Sequence, residues 1–344
     1  MIREVTRRRL VLAWLLALAA FTGCRPSTIA EAEAKHDVRW LDELGTPDAV
    51  AAIGRIADVD PKGVTALEAR SSYDAQAFAA AWTAVVRDAP WGGEVLRRAL
   101  ADPKRADLAA GAMPRADARL AGFLADLESA LVRIAAGAQN LNVATALASV
   151  GPAAHDAVAR RVVDAATRGA MCRGIGSKQA SADARKVLLA APQSARDSAA
   201  CVDAVVRIAA DDEATLGWVA VQGEPGLLGA AGRSDTLPCP RLHVAWTKAL
   251  AQRPAGDYPA LTVPLGYAVK RCTEQMDGVL ADALVHLPAT RSTVVEAIDP
   301  FGSYGTALHA TCATLPSIVA AGRDPAIVRE RASDAINHAC RPPV

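Results

Sequence analysis

The chain has 344 residues, with 38 Lys plus Arg against 37 Asp plus Glu and only 4% aromatic residues. This balance supplies no basic field of the kind that nucleic-acid binding needs, and so few aromatics offer no base-stacking surface. Apolar residues make up 51% of the chain. They are mainly Ala, Leu and Val, without the aromatic and β-branched alternation of a β-sandwich, so the predicted class is all-α.

The N-terminus comes first. Arg3, Arg7, Arg8 and Arg9 give a positively charged start, Leu10–Phe21 is an uncharged apolar run, and Thr22-Gly23-Cys24 follows. This is the three-part layout of a secretory signal peptide, and the run is too short for a bilayer span of roughly 20 residues. Thr6–Val11 partly fits the twin-arginine export pattern, but the apolar run is more hydrophobic than that route uses, which favours general secretion. Phe21-Thr22-Gly23-Cys24 resembles the bacterial lipobox. The resemblance implies a signal peptide over 1–23, removed just before Cys24, and acylation of Cys24 on its thiol and its new amine. Two or more acyl chains hold a membrane stably. Arg25, standing where Asp would retain the chain at the inner membrane, implies the periplasmic face of the outer membrane. Without residues 1–23 the chain holds 34 basic and 36 acidic residues.

Residues 24–37 read as a lipidated tether. The segment 38–165 reads as helical repeats, beginning at Leu41-Asp42-Glu43-Leu44-Gly45-Thr46-Pro47-Asp48-Ala49-Val50. Gly45-Thr46-Pro47 breaks one helix, and Asp48 suits the positive N-terminal end of the next. The pattern resembles the HEAT repeat, in which one helix ends at Leu-Gly-x-Pro and a second starts at Ala-Val. A second copy runs from Leu147 to Ala153. Between the copies, Phe78, Trp82 and Val85 recur at helical spacing, with Asp74 as N-cap and Pro90 as stop. Val95, Leu96, Ala99 and Leu100 follow, ending at Asp102-Pro103. Leu120, Leu124, Leu127, Leu131 and Ile134 then form one continuous stripe. The expected architecture is an α-solenoid, a HEAT-like array of helical hairpins.

The segment 166–344 carries Cys172, Cys201, Cys239, Cys272, Cys312 and Cys340. Alternate cysteines recur about every 70 residues, which suggests three units of one or two hairpins each. Long loops, such as the one from Gly223 to Pro238, are expected to separate them. An even count in an exported chain points to disulfides. The repeat phase favours Cys172–Cys201, Cys239–Cys272 and Cys312–Cys340, with neighbour-unit pairing such as Cys201–Cys239 as the rival. A zinc site is the sharpest alternative, drawing on His309, Cys312, His338 and Cys340. It would explain two cysteines, whereas disulfides explain six.

No other motif carries chemistry. Arg173-Gly174-Ile175-Gly176-Ser177-Lys178 has the look of a phosphate loop without its spacing, and reads as a turn between helices. His155 and Asp156 are neighbours in sequence and face different sides of a helix, so they form no relay. His36, His243 and His286 are isolated. Asp211-Asp212-Glu213 reads as a solvated helix end rather than a calcium loop. No catalytic residue and no cofactor or metal is expected. The sequence points to a non-catalytic, membrane-anchored lipoprotein that holds a protein partner, because helical arrays present extended binding surfaces. The alternatives are an enzyme with no recognisable motif, and a metal or small-molecule binder built on the C-terminal half.

Overall fold

Short-range capping chemistry sets where the helices begin and end. In the computed structural model, Gly45 closes one helix in the left-handed conformation at φ 63°. Thr46 then caps the next, its Oγ1 accepting from the Ala49 amide at 3.3 Å, with Pro47 as the first helical residue. Asp74 caps in the same way through the amide of Gln76. The structure describes residues 25–72, 74–134, 140–252, 258–298 and 305–340, and among these there are α-helices and 3-10 turns but no strand.

Contacts gather the described residues into two units. One comprises residues up to 114 together with 125–133, the other 115–124 together with 134 onward. The first unit contains α1 (Ile29–Ala34), α2 (Val38–Leu44), α3 (Pro47–Ile56), α4 (Pro61–Arg70), α5 (Ala75–Val86), α6 (Pro90–Ala101) and α7 (Ala106–Ala112), and most of α8 (Leu124–Ile134). Helices α1, α3, α5 and α7 pack side by side in one layer, and α2, α4 and α6 in the other. Residues 29–34, within the expected tether, thus form a helix, and its Ala32 is fully buried.

The second unit repeats this plan. Its first layer is α9 (Leu141–Ser149), α11 (Arg168–Ile175), α14 (Ala199–Asp211), α16 (Pro225–Arg233), α18 (Thr262–Arg271), α20 (Arg291–Ile298) and α22 (Ala326–His338), each packed on the next. The second layer holds α10 (His155–Val163) against α12 (Ala182–Ala190). After the short α13 (Gln193–Arg196), α15 (Glu213–Gln222), α17 (Cys239–Ala251), α19 (Thr273–His286) and α21 (His309–Ala321) pack in succession. First-layer helices start at 141, 168, 199, 225, 262, 291 and 326, so a new hairpin begins every 26 to 37 residues. Each expected unit of about 70 residues therefore holds two hairpins. The packing is that of a helical solenoid.

Three expectations are corrected here. Pro90 opens α6 as its first residue, and α5 has already ended at Val86. The apolar stripe from Leu120 to Ile134 is broken, because Ala118–Phe123 is a 3-10 turn that precedes α8. The expected long loop after Gly223 is largely helix α16. Its glycines lower helix propensity, yet they serve contact. A Cβ on Gly232 would lie 3.1 Å from the Ala268 amide nitrogen and from Tyr267 Cβ on α18. Burial of Leu227, Leu228 and Ala231 on the same helix outweighs the propensity penalty.

Small residues set the helix spacing elsewhere too. A Cβ on Gly174 would sit 2.6 Å from the carbonyl carbon of Ala144, and one on Gly92 2.4 Å from the Ala81 oxygen. Both obstacles are backbone, so the helices must separate. Gly174→Ala and Gly92→Ala are each expected to cost about 1–3 kcal/mol. Gly217, in the interior of α15 with nothing within 4 Å of its would-be Cβ, is the contrast. Gly217→Ala is expected to stabilise by about 0.5–1 kcal/mol. Denaturant midpoints for the three variants check this ordering, and equal effects at Gly174 and Gly217 would contradict it.

Candidate functional site

The cysteines show how the second unit is held. Disulfides join Cys172 to Cys201, Cys239 to Cys272 and Cys312 to Cys340. These are the within-unit pairs favoured by the repeat phase. Their sequence separations of 29, 33 and 28 residues match one hairpin step, so each bond staples one hairpin to the next. Cys172 on α11 and Cys201 on α14 are fully buried between adjacent first-layer helices. Cys239 opens α17 and Cys272 precedes α19, which ties second-layer neighbours. The sulfurs of Cys312 and Cys340 are bonded to each other, so they are not free thiolates for a zinc ion. Among the described residues no cluster of His, Cys, Asp or Glu has metal-binding geometry. Cys24 and the apolar run before it lie outside the described residues.

The histidines and the acidic run also find places in the array. His155 Nδ1 lies 3.1 Å from Asp183 Oδ2, one hairpin further along rather than beside its sequence neighbour Asp156. His243 Nδ1 contacts the Gln275 carbonyl oxygen at 2.8 Å, His36 faces Asp60 at 3.4 Å, and His286 faces Asp282 at 3.7 Å. In the acidic run, Asp212 caps α15. It accepts from the Thr215 hydroxyl at 2.5 Å and the Thr215 amide at 2.7 Å.

The Thr215 hydroxyl and amide hold the Asp212 carboxyl below its ordinary value of 3.8. A depressed carboxyl stabilises the fold above its unfolded pKa, and this contribution is lost as pH falls through the folded value. Asp212→Ala is expected to cost about 1 kcal/mol at pH 7. The gap between wild type and variant should narrow as the pH drops below about 4, the ordinary carboxylate range. Denaturant unfolding at the two pH values measures this, and a gap that widens in acid would contradict it.

A cleft of about 460 Å³ opens where Arg173–Lys178 ends α11. Gly176, Ser177 and Lys178 line one side. Arg185 of α12 and Arg207 and Asp211 of α14 line the rest, with Thr236 at the edge. The loop carrying Thr236 is held by Arg271 of α18. Its guanidinium donates to the carbonyls of Ser234 and, at 2.7 Å, Leu237. Burial lowers the Arg271 pKa from its ordinary value, opposed by the charge of Asp235. A neighbouring hollow of about 290 Å³ shares Arg207 and Thr236 and adds Asp203 and Arg233. The Arg233 guanidinium stacks over the Tyr267 ring, 4.7 Å from its centroid.

This basic cleft is the feature the sequence did not reveal. Lys178, Arg185 and Arg207 sit in a loop and on two different helices, with no motif spacing, and only the stacking of hairpins brings them together. The one signal was Arg173–Lys178 itself, which resembles a phosphate loop in composition alone. No protein-family model matches the chain, and no curated protein matches it in sequence.

Proposed function

We propose that this chain is a non-catalytic binding module of the bacterial cell envelope, anchored by lipid at Cys24 and holding a protein partner on its helical array. The observation that carries the reading is the disulfide-stapled array itself. Disulfides persist in oxidising compartments outside the cytosol, which agrees with a secretory leader. Three pairs of neighbouring hairpins in the second unit are covalently linked, which keeps the exposed helix faces of each pair in fixed register. Such arrays bind through extended surfaces rather than through one deep catalytic pocket. The lipobox resemblance supplies the anchor and, through Arg25, the outer-membrane destination.

The test pairs fractionation with crosslinking in intact cells. A photoreactive residue placed at exposed positions of α14 and α16 should give a discrete, stoichiometric adduct with one envelope protein. Cys24→Ala should move the chain from the membrane fraction to the soluble periplasm and weaken that adduct. Unchanged fractionation of Cys24→Ala, together with no adduct from any position, would overturn the reading.

A further inference from the structure

The cleft between α11, α12 and α14 carries more positive charge than its carboxylate neutralises. Lys178, Arg185 and Arg207 line it, against Asp211. Lys178 and Asp211 approach only to 3.8 Å, with side chains 91% and 67% exposed. Asp203 lines the adjoining hollow together with Arg207 and Arg233. The Arg207 side chain makes no hydrogen bond or ion pair among the described residues. On two of the lining residues, the Ser177 hydroxyl oxygen and Arg185 Nε are buried without a hydrogen-bond partner. A buried donor left unpaired is costly.

The charge points to an anion, and the geometry of the cations narrows its class. The lining holds three cations against the carboxylate of Asp211, and Asp212 beside Arg185 offsets part of the excess, so the cleft keeps a net positive charge. A phosphate monoester carries about −1.5 to −2 at neutral pH and presents three acceptor oxygens. Guanidinium forks match phosphate oxygens in geometry, and a lysine adds a point charge. We propose that this cleft binds a phosphate-bearing anion, held by Lys178, Arg185 and Arg207. The proposal rests on reading the chain as a binding module, and it commits one site of that module to a phosphate ligand, either soluble or displayed as a lipid headgroup.

The experiment uses the exported protein with its three disulfides formed. Inorganic pyrophosphate is titrated by calorimetry at low ionic strength. In parallel, the protein is sedimented with phosphatidylcholine vesicles containing or lacking phosphatidic acid. The Lys178→Gln/Arg207→Gln variant changes two exposed side chains, and its circular dichroism verifies that the helices remain. It should weaken binding at least about tenfold, whereas Arg97→Gln/Lys104→Gln in the first unit should leave affinity unchanged. Saturable pyrophosphate binding lost in the cleft variant supports a soluble source. Vesicle binding dependent on phosphatidic acid and lost in the same variant supports a headgroup. The proposal is overturned by absence of saturable binding to both probes, by equal loss in the first-unit variant, or by a polyglutamate peptide outcompeting pyrophosphate. Any of these would leave the crosslinking result for the module untouched, so the two readings fail separately.

Discussion

Replacing Cys172 and Cys201 together by alanine is expected to destabilise the second unit by about 3–4 kcal/mol, the loop-closure entropy restored to an unfolded chain no longer cross-linked across roughly 30 residues. Two features argue against a smaller effect. Both cysteines are fully buried on adjacent first-layer helices, so losing the sulfurs also leaves a gap where α11 meets α14. Arrays of this kind are stabilised by nearest-neighbour interfaces, and this bond lies across one of them. The described residues of the first unit include no cysteine. Amide exchange resolved by peptide should therefore rise sharply over α11 and α14 in the double variant and stay unchanged over α3 to α6. The same contrast should follow reduction of the wild-type protein. Uniform acceleration in both units, or none in either, would show that the bond does not act locally.

The helical class was legible from composition alone, and the capped breaks at Gly45-Thr46-Pro47 and Asp74 were legible from local chemistry. Such features depend on residues within one or two turns, which a sequence states directly. The cysteine pairs were legible for a related reason. A repeating fold places equivalent positions at equal spacing, so the phase of the cysteines reflects the hairpin step. What failed was propensity read without tertiary contact. Gly226, Gly229 and Gly232 mark a loop by propensity, yet α16 forms because its apolar face is buried and because small residues let α18 approach. The break between the 3-10 turn and α8 was likewise invisible, since leucine spacing across 120–134 satisfies one helix as well as two segments.

The candidate site was less legible than the fold. Lys178, Arg185 and Arg207 are ordinary surface residues in sequence, and their convergence depends on how three hairpins stack. The repeat step gives a rule for finding such pairs. Many polar links in the structure join residues about one hairpin apart. His155 meets Asp183, Arg241 donates to the carbonyl oxygen of Ala209, and Asp277 accepts from the amides of Ala310 and Thr311. In each case the side chain satisfies a group on the next or preceding hairpin. The Arg207 side chain makes no such link among the described residues, and the proposed anion site draws on it.

A demanding interhairpin link is Arg291 with Asp324, and breaking it is expected to match or exceed the disulfide in effect. Arg291 Nη1 donates to both carboxylate oxygens of Asp324 at 3.0 and 2.8 Å, and its Nε donates to the Leu284 carbonyl at 2.7 Å. The two side chains are only 17% and 8% exposed. At that depth, removing one partner strands the other charge with little water to solvate it. Asp324→Ala is therefore expected to cost about 3–5 kcal/mol. Removing both charges in favour of apolar side chains, as in Arg291→Met/Asp324→Leu, avoids the stranded charge. Only the hydrogen bond to Leu284 is then lost, at about 1 kcal/mol. The double variant should thus be clearly more stable than Asp324→Ala alone, a coupling that a double-mutant cycle in denaturant reads directly. Additive losses in that cycle would mean the pair is solvated in solution and contributes no more than a surface ion pair.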